Sequence, residues 1–217
     1  MVELPLIESW TDFQDLSVAV VGDLVADRYV YARPTRPSRE APVMVLREEG
    51  EELLPGGAAN TARNARSLGA RTILVGAVGR DDAGRRLLEH LGREGVRLDG
   101  VRTVDGWDTP IKTRVLAGEH DRTLQQVLRM DREPVGPLPG PQAEAMATSL
   151  LDLAGEVDAV VVSDYGYGGC GSVLAEAVER FRERLIKQFA AMEQTVSRYN
   201  AIGDYLSSQE ARATKKN

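Results

Sequence analysis

The chain has one cysteine, Cys170, among its 217 residues. A lone cysteine excludes an internal disulfide framework and fits a reducing compartment, so a cytoplasmic location is expected. No run of about 18 apolar residues occurs, which excludes a membrane-spanning helix of the usual kind. The first ten residues, MVELPLIESW, lack a basic stretch followed by an apolar one, so no signal peptide is expected. Basic residues are in the minority, 27 Lys and Arg against 33 Asp and Glu, for a net charge of −6. A broad phosphate-binding face is therefore not expected, and no nucleic-acid partner with it. Breakers are missing from the end of the chain: no proline follows Pro141, and after Gly171 only Gly203 occurs. That shift places a boundary at residues 171–180.

Up to that boundary the chain reads as α/β. Ser17 to Val21 and Asp158 to Ser163 are short apolar runs expected to be buried parallel strands. Pro42 to Leu46 is β-rich, with Pro42 marking an edge or a first strand position. Gly57 to Leu68 reads as a helix stopped by Gly69, and Thr72 to Val75 as the next strand. Asp82 to Glu94 and Gln142 to Leu153 read as helices, Ile111 to Leu116 and Thr123 to Met130 as strands. This alternation predicts a parallel sheet with helices on both faces. Ligands of such sheets bind beyond the carboxyl ends of the strands, where Asp23, Gly76 and Asp164 fall.

Asp23 and Asp27 follow the first strand, where a carboxylate can accept from two sugar hydroxyls. Gly56 and Gly57 allow close backbone approach to a ligand, and the helix they open favours a polar or anionic group. Asn60 offers a donor and an acceptor one turn in. Taken alone, Gly-Gly-Ala reads more readily as a plain turn and helix start than as a ligand site. The phosphate-loop pattern GxxxxGK[ST] is absent. GYGGCG at 166–171 has dinucleotide-fingerprint spacing without the acidic residue that should follow.

The stretch GGAANTARNARSLGARTILVGAVG (56–79) resembles the first signature of the PfkB/ribokinase family of sugar kinases. VVGDLVADRYVYARPTRPSREAPVMVLREEGEELLPGGAAN, TPIKTRVLAG, QQVLRMDRE and VVVSDYG resemble its bacterial heptose-7-phosphate kinase branch, and the likeness runs over residues 10–172. It implies a partial ribokinase-like sheet with a small β lid formed by strand pairs at 28–50 and 109–131. It implies that Asp23, Gly56, Gly57 and Asn60 bind sugar, that Asp27 lines the pocket, and that Asp164 belongs to an S-D-Y-x-K-G segment. Lys112, Arg114 and Arg129 fall on the lid, where a cation can meet a sugar phosphate or simply face solvent. The implied partner is a phosphorylated sugar, with ATP and Mg²⁺ as cofactors if the chain is active, and a homodimer is expected through the lid or the C-terminal helix.

Two departures accompany the resemblance. Tyr167 stands where the family segment has lysine. The family's late G-A-G-D motif, which supplies the anion hole and the base, has only Ala201-Ile202-Gly203-Asp204 as a near match, and no Val/Ile-rich strand run follows Ser163. The expectation is an incomplete kinase domain, 1–172, followed by a second segment, 173–217. In that segment apolar residues from Leu174 to Leu206 recur in steps of three and four, the stripe of a helix roughly 50 Å long. Residues 177–209 resemble the end of the flagellar filament-capping family. The functional expectations are therefore a heptose-phosphate kinase, a non-catalytic sugar-binding remnant, or an assembly protein that pairs through the helix.

Overall fold

The computed structural model describes residues 10–118, 123–153, 155–171, 173–175, 177–180 and 183. The expected helix to Leu206, the flagellar likeness and the Gly203-Asp204 segment lie almost wholly outside them. The chain divides into two units, Met1–Ala177 and Val178–Asn217, and the fold described here is that of the first.

Its elements are a 3-10 turn (Trp10–Asp15), then β1 (Ser17–Gly22), β2 (Leu24–Pro37), β3 (Met44–Gly57), α1 (Ala58–Ser67), β4 (Arg71–Gly79) and α2 (Asp82–Arg93). β5 (Arg97–Val104), β6 (Ile111–Ala117), β7 (Gln125–Arg132), α3 (Gly140–Leu153) and β8 (Ala159–Ser163) follow. They form two four-stranded sheets. The core sheet runs β5-β4-β1-β8, all parallel, and the lid sheet runs β3-β2-β6-β7.

Every residue of β1 is buried, because helices cover both faces of the sheet. Val18 and Val20 meet Ala62 of α1 and Leu87 and Leu91 of α2 in one core. Val21 and Val75 face the other way, onto Met146, Ala147 and Leu150 of α3. Val173 and Ala177 join that second core and Leu174 packs against it, so the chain beyond 172 contributes side chains to the first unit. Strand alternation explains the split, since neighbouring side chains point to opposite faces.

The 158–163 run was expected to be a buried strand, and the structure corrects this. β8 pairs with β1 on one side only, and Val160, Val161 and Val162 remain 41%, 38% and 49% exposed. It is an edge strand among the described residues. Asp158 ties it down: its Oδ2 accepts from both the Ser17 backbone N–H and the Ser17 hydroxyl at 2.8 Å, and its own N–H donates to the Ser17 carbonyl at 2.9 Å.

The lid grows out of the core with almost no linker. Only Asp23 separates β1 from β2, and β3 runs directly into α1. β2 and β3 form a 14-residue antiparallel pair, longer than the expected Pro42–Leu46 strand. β2 also pairs in parallel with β6, which pairs antiparallel with β7. The β5 strand was not expected from the sequence; it forms the other edge of the core sheet.

Candidate functional site

The crevice lies where the carboxyl ends of β1 and β8 and the start of α1 meet the lid. The Asp23 backbone forms the corner: its N–H donates to the Ser163 carbonyl at 3.1 Å, and its carbonyl accepts from Ala58 at 2.9 Å. Gly57 precedes α1 at φ 57°, and no side chain caps the helix. A Cβ there would stand 2.5 Å from the Asp23 carbonyl oxygen, so the chain turns into the helix only with glycine at this point. Asn60 is exposed one turn into α1. Thr61 Oγ1 lies 3.4 Å from Ser163 Oγ, linking α1 to β8. Asp164 is exposed and bends back locally, its Oδ1 accepting from the Gly166 N–H at 2.9 Å.

The lid contributes a charged face. Register places Asp27 beside Lys112, Tyr29 beside Arg114, Lys112 beside Asp131, and Arg114 beside Arg129. The two-residue strand repeat points all of them to one side. Arg114 Nη1 donates to Asp27 Oδ1 at 2.6 Å, and its guanidinium carbon lies 5.4 Å from the Tyr29 ring centre. Arg129 forms a forked pair with Asp131 at 2.9 and 2.6 Å. The hydrogen bond Arg114 donates to Asp27 raises the Arg114 pKa, and the one from Arg129 holds the Asp131 carboxyl below its ordinary range. Gly56 sits against the Asp27 carboxylate so closely that a Cβ would collide with Oδ2.

Lys112 makes no close ion pair among the described residues, although its charge helps to hold the neighbouring Asp131 carboxyl down. Its Nζ lies 5.1 Å from the Tyr165 ring centre and 5.5 Å from that of Tyr167, both on the loop after β8. A cation over two aromatic faces is held electrostatically while its N–H groups stay free for a ligand. The position where a loop lysine was expected is thus a tyrosine, and the cation beside it comes from the lid.

The structure therefore brings Asp27, Gly56, Lys112, Arg114 and Arg129 onto one face. Gly57, Asn60 and Asp164 stand on the core side of the crevice. Asp23 is 1% exposed, and its carboxylate is directed under the 165–169 loop rather than into open space. Tyr29, Tyr165, Tyr167 and Asp131 join the site without having been singled out as site residues. Tyr29 and Asp131 are two residues from Asp27 and Arg129 along their strands, a spacing that could have flagged them. Cys170, which ends the loop, is buried, and burial together with Asp164 and Asp23 pushes its thiol up to about 12.

The comparisons with known proteins bear on this crevice. The protein of Caulobacter sp. strain K31 named Bifunctional protein HldE is 43% identical over 166 residues, covering 76% of this chain and 32% of that protein. The protein of the same name from Gluconacetobacter diazotrophicus is 39% identical over 179 residues, covering 82% of this chain and 36% of that one. The chain thus spans about a third of the length of the curated relatives it matches. Among solved structures, phosphofructokinase-2 from Escherichia coli aligns with a TM-score of 0.49 at 19% identity, covering 68% of this chain and 45% of that one. A putative ribokinase from Agrobacterium tumefaciens aligns with a TM-score of 0.45 at 22% identity, covering 68% and 44%. Residues 15–181, which hold both sheets and every site residue named above, match the pfkB family carbohydrate kinases, and the chain belongs to that family.

Proposed function

We propose that the crevice binds a phosphorylated sugar of the heptose 7-phosphate type, as the sugar side of ATP-dependent phosphoryl transfer toward ADP-heptose. The observation that supports this reading is the convergence of Lys112, Arg114 and Arg129 on the lid face that carries Asp27. A sugar phosphate has hydroxyls at one end and a dianion at the other. Asp27, Asn60 and the backbone at Gly56 and Gly57 suit the hydroxyls, and guanidinium forks suit the phosphate. The heptose type is favoured by the 39–43% identity to the proteins named HldE.

Phosphoryl transfer needs a base for the sugar hydroxyl and donors for the transferred group. Among the described residues no three His, Cys, Asp or Glu side chains gather as a metal site. The residues of this crevice suit the sugar phosphate; Mg²⁺, usually held by one or two carboxylates together with the nucleotide's phosphates, would enter with ATP. Tyr167 at the lysine position favours a second reading, sugar-phosphate binding without transfer.

Calorimetry with heptose 7-phosphate tests the reading. The expected result is binding that weakens about tenfold or more in Arg114→Ala, the loss of a charge-assisted hydrogen bond. ADP release that depends on heptose 7-phosphate would favour transfer, and binding without turnover the second reading. No heat of binding would overturn both. The protein partner we propose is a second copy, joined through the lid, where edge strand β7 exposes Leu128 and Met130.

A further inference from the structure

A buried carboxylate needs donors around it. Asp23 makes no ion pair among the described residues, and its donors are three backbone N–H groups. Tyr165 and Tyr167 donate to Oδ2 at 2.9 and 3.1 Å, and Gly169 donates to Oδ1 at 3.1 Å. The donors are alternate residues of one loop. Gly166 and Gly168, at φ 78° and 80°, separate them. Each left-handed glycine reverses the local turn, so the three N–H groups point to one side. Such a concavity of backbone N–H groups is an anion-binding nest. Here the anion belongs to the chain itself. The fit is close: a Cβ on Gly169 would stand 2.9 Å from Asp23 Oδ1.

The outer side of the same loop carries the two rings that seat Lys112. Carboxylate, loop, rings and ammonium thus form one chain of contacts running from the end of β1 to the lid.

We propose that Asp23 is a positioning residue for phosphate recognition: its carboxylate is the anion on which the 165–169 loop is built, and through Tyr165 and Tyr167 it holds Lys112 where the sugar's phosphate is read. This rests on the sugar-phosphate reading above and deepens it. It gives Asp23 a part in distinguishing phosphorylated from unphosphorylated sugar, a different part from that of a direct hydroxyl ligand. An asparagine there keeps the size but loses the charge, and it turns an NH₂ toward at least one N–H group that needs an acceptor.

The test measures two affinities, for heptose 7-phosphate and for unphosphorylated heptose, in the wild type, Asp23→Asn, Lys112→Ala and the double variant. The ratio of the two affinities falls about tenfold in Asp23→Asn, as it does in Lys112→Ala, on the scale of one charged hydrogen bond to phosphate. The double variant falls no further. An equal loss on both sugars, which leaves the ratio at its wild-type value, would overturn the proposal in favour of a hydroxyl ligand, as would additive losses in the double variant. Amide hydrogen exchange separates this from the parent reading. In Asp23→Asn the amides of Tyr165, Tyr167 and Gly169 exchange at least tenfold faster while those of β4 do not change. If they stay protected, the proposal fails even where sugar binds. If the wild type binds neither sugar but these amides lose protection, it is the sugar-phosphate reading that fails. Gly166→Ala guards against misfolding of Asp23→Asn: its Cβ meets nothing within 4 Å, but the left-handed φ is strained. It should lower the ratio as Asp23→Asn does, and Gly166→Asn, which tolerates that φ, should restore it.

Discussion

At the scale of single residues, the crevice depends on close approaches that larger side chains would block. Gly56 touches the Asp27 carboxylate, and Asp27 in turn holds Arg114. In Gly56→Ala the flexible end of Asp27 must move away and the pair to Arg114 breaks. The expected cost is about 1–2 kcal/mol of stability, together with weaker sugar-phosphate binding. Urea denaturation and calorimetry on the same variant check the two halves separately. Cys170 offers a simpler test. A buried thiol whose pKa stands at about 12 holds almost no thiolate at neutral pH. It should not react with a thiol reagent in the native protein at pH 8, and it should react promptly once the chain is unfolded in urea. Fast labelling of the folded protein would mean that the loop opens readily.

At the scale of elements, β8 is held to the sheet, among the described residues, by β1 alone and by the Asp158–Ser17 hydrogen bonds. Those bonds hold the Asp158 pKa below its ordinary value, with the backbone N–H of Ser17 as the leading cause. A carboxylate with a depressed folded pKa stabilises the fold above its ordinary value of about 4, and that contribution disappears as the pH falls through the folded value. The urea midpoint should therefore drop below about pH 4, and the acid drop should be shallower in Asp158→Asn. An equal drop in both proteins would mean that Asp131 and Glu51, also depressed, carry it instead. The open side of β8 has a further consequence. An exposed apolar edge strand invites pairing with other chains. Val161→Lys should slow aggregation on concentration, as light scattering would show, with little change in the urea midpoint.

At the scale of the whole molecule, the lid is both the wall of the site and the proposed contact with a second copy. Every residue of β7 is exposed. Its side chains alternate between the charged site face, with Arg129 and Asp131, and the opposite face, with Leu128 and Met130. Leu128→Glu should convert a dimer to a monomer in multi-angle light scattering while leaving the site face untouched. If the mass is that of one chain before and after the change, the lid is not a dimer contact.

Much of the core sheet was legible along the chain. Continuous apolar runs at 17–21 and 72–75, and glycine stops after helices, are local signals of buried strands and helix ends. β5 was hidden because Arg97, Asp99 and Gly100 interrupt its apolar pattern, and it is a strand because β4 pairs with it. β8 misled in the other direction: its Val-rich sequence says buried strand, yet burial depends on what covers its open side. The family, the lid cations and the Gly56-Gly57 pair were readable as motifs, since each is a short stretch of fixed spacing. The partner of Asp23 was not, because its three donors are backbone N–H groups more than 140 residues away, and no side chain announces a backbone nest. The sequence by itself determined the alternating elements and which residue types reach the crevice, because those follow from local periodicity and chemistry. Only the tertiary structure decided which way Asp23 faces and which cation stands beside Tyr167, because both depend on strand register and on a loop turned by two left-handed glycines.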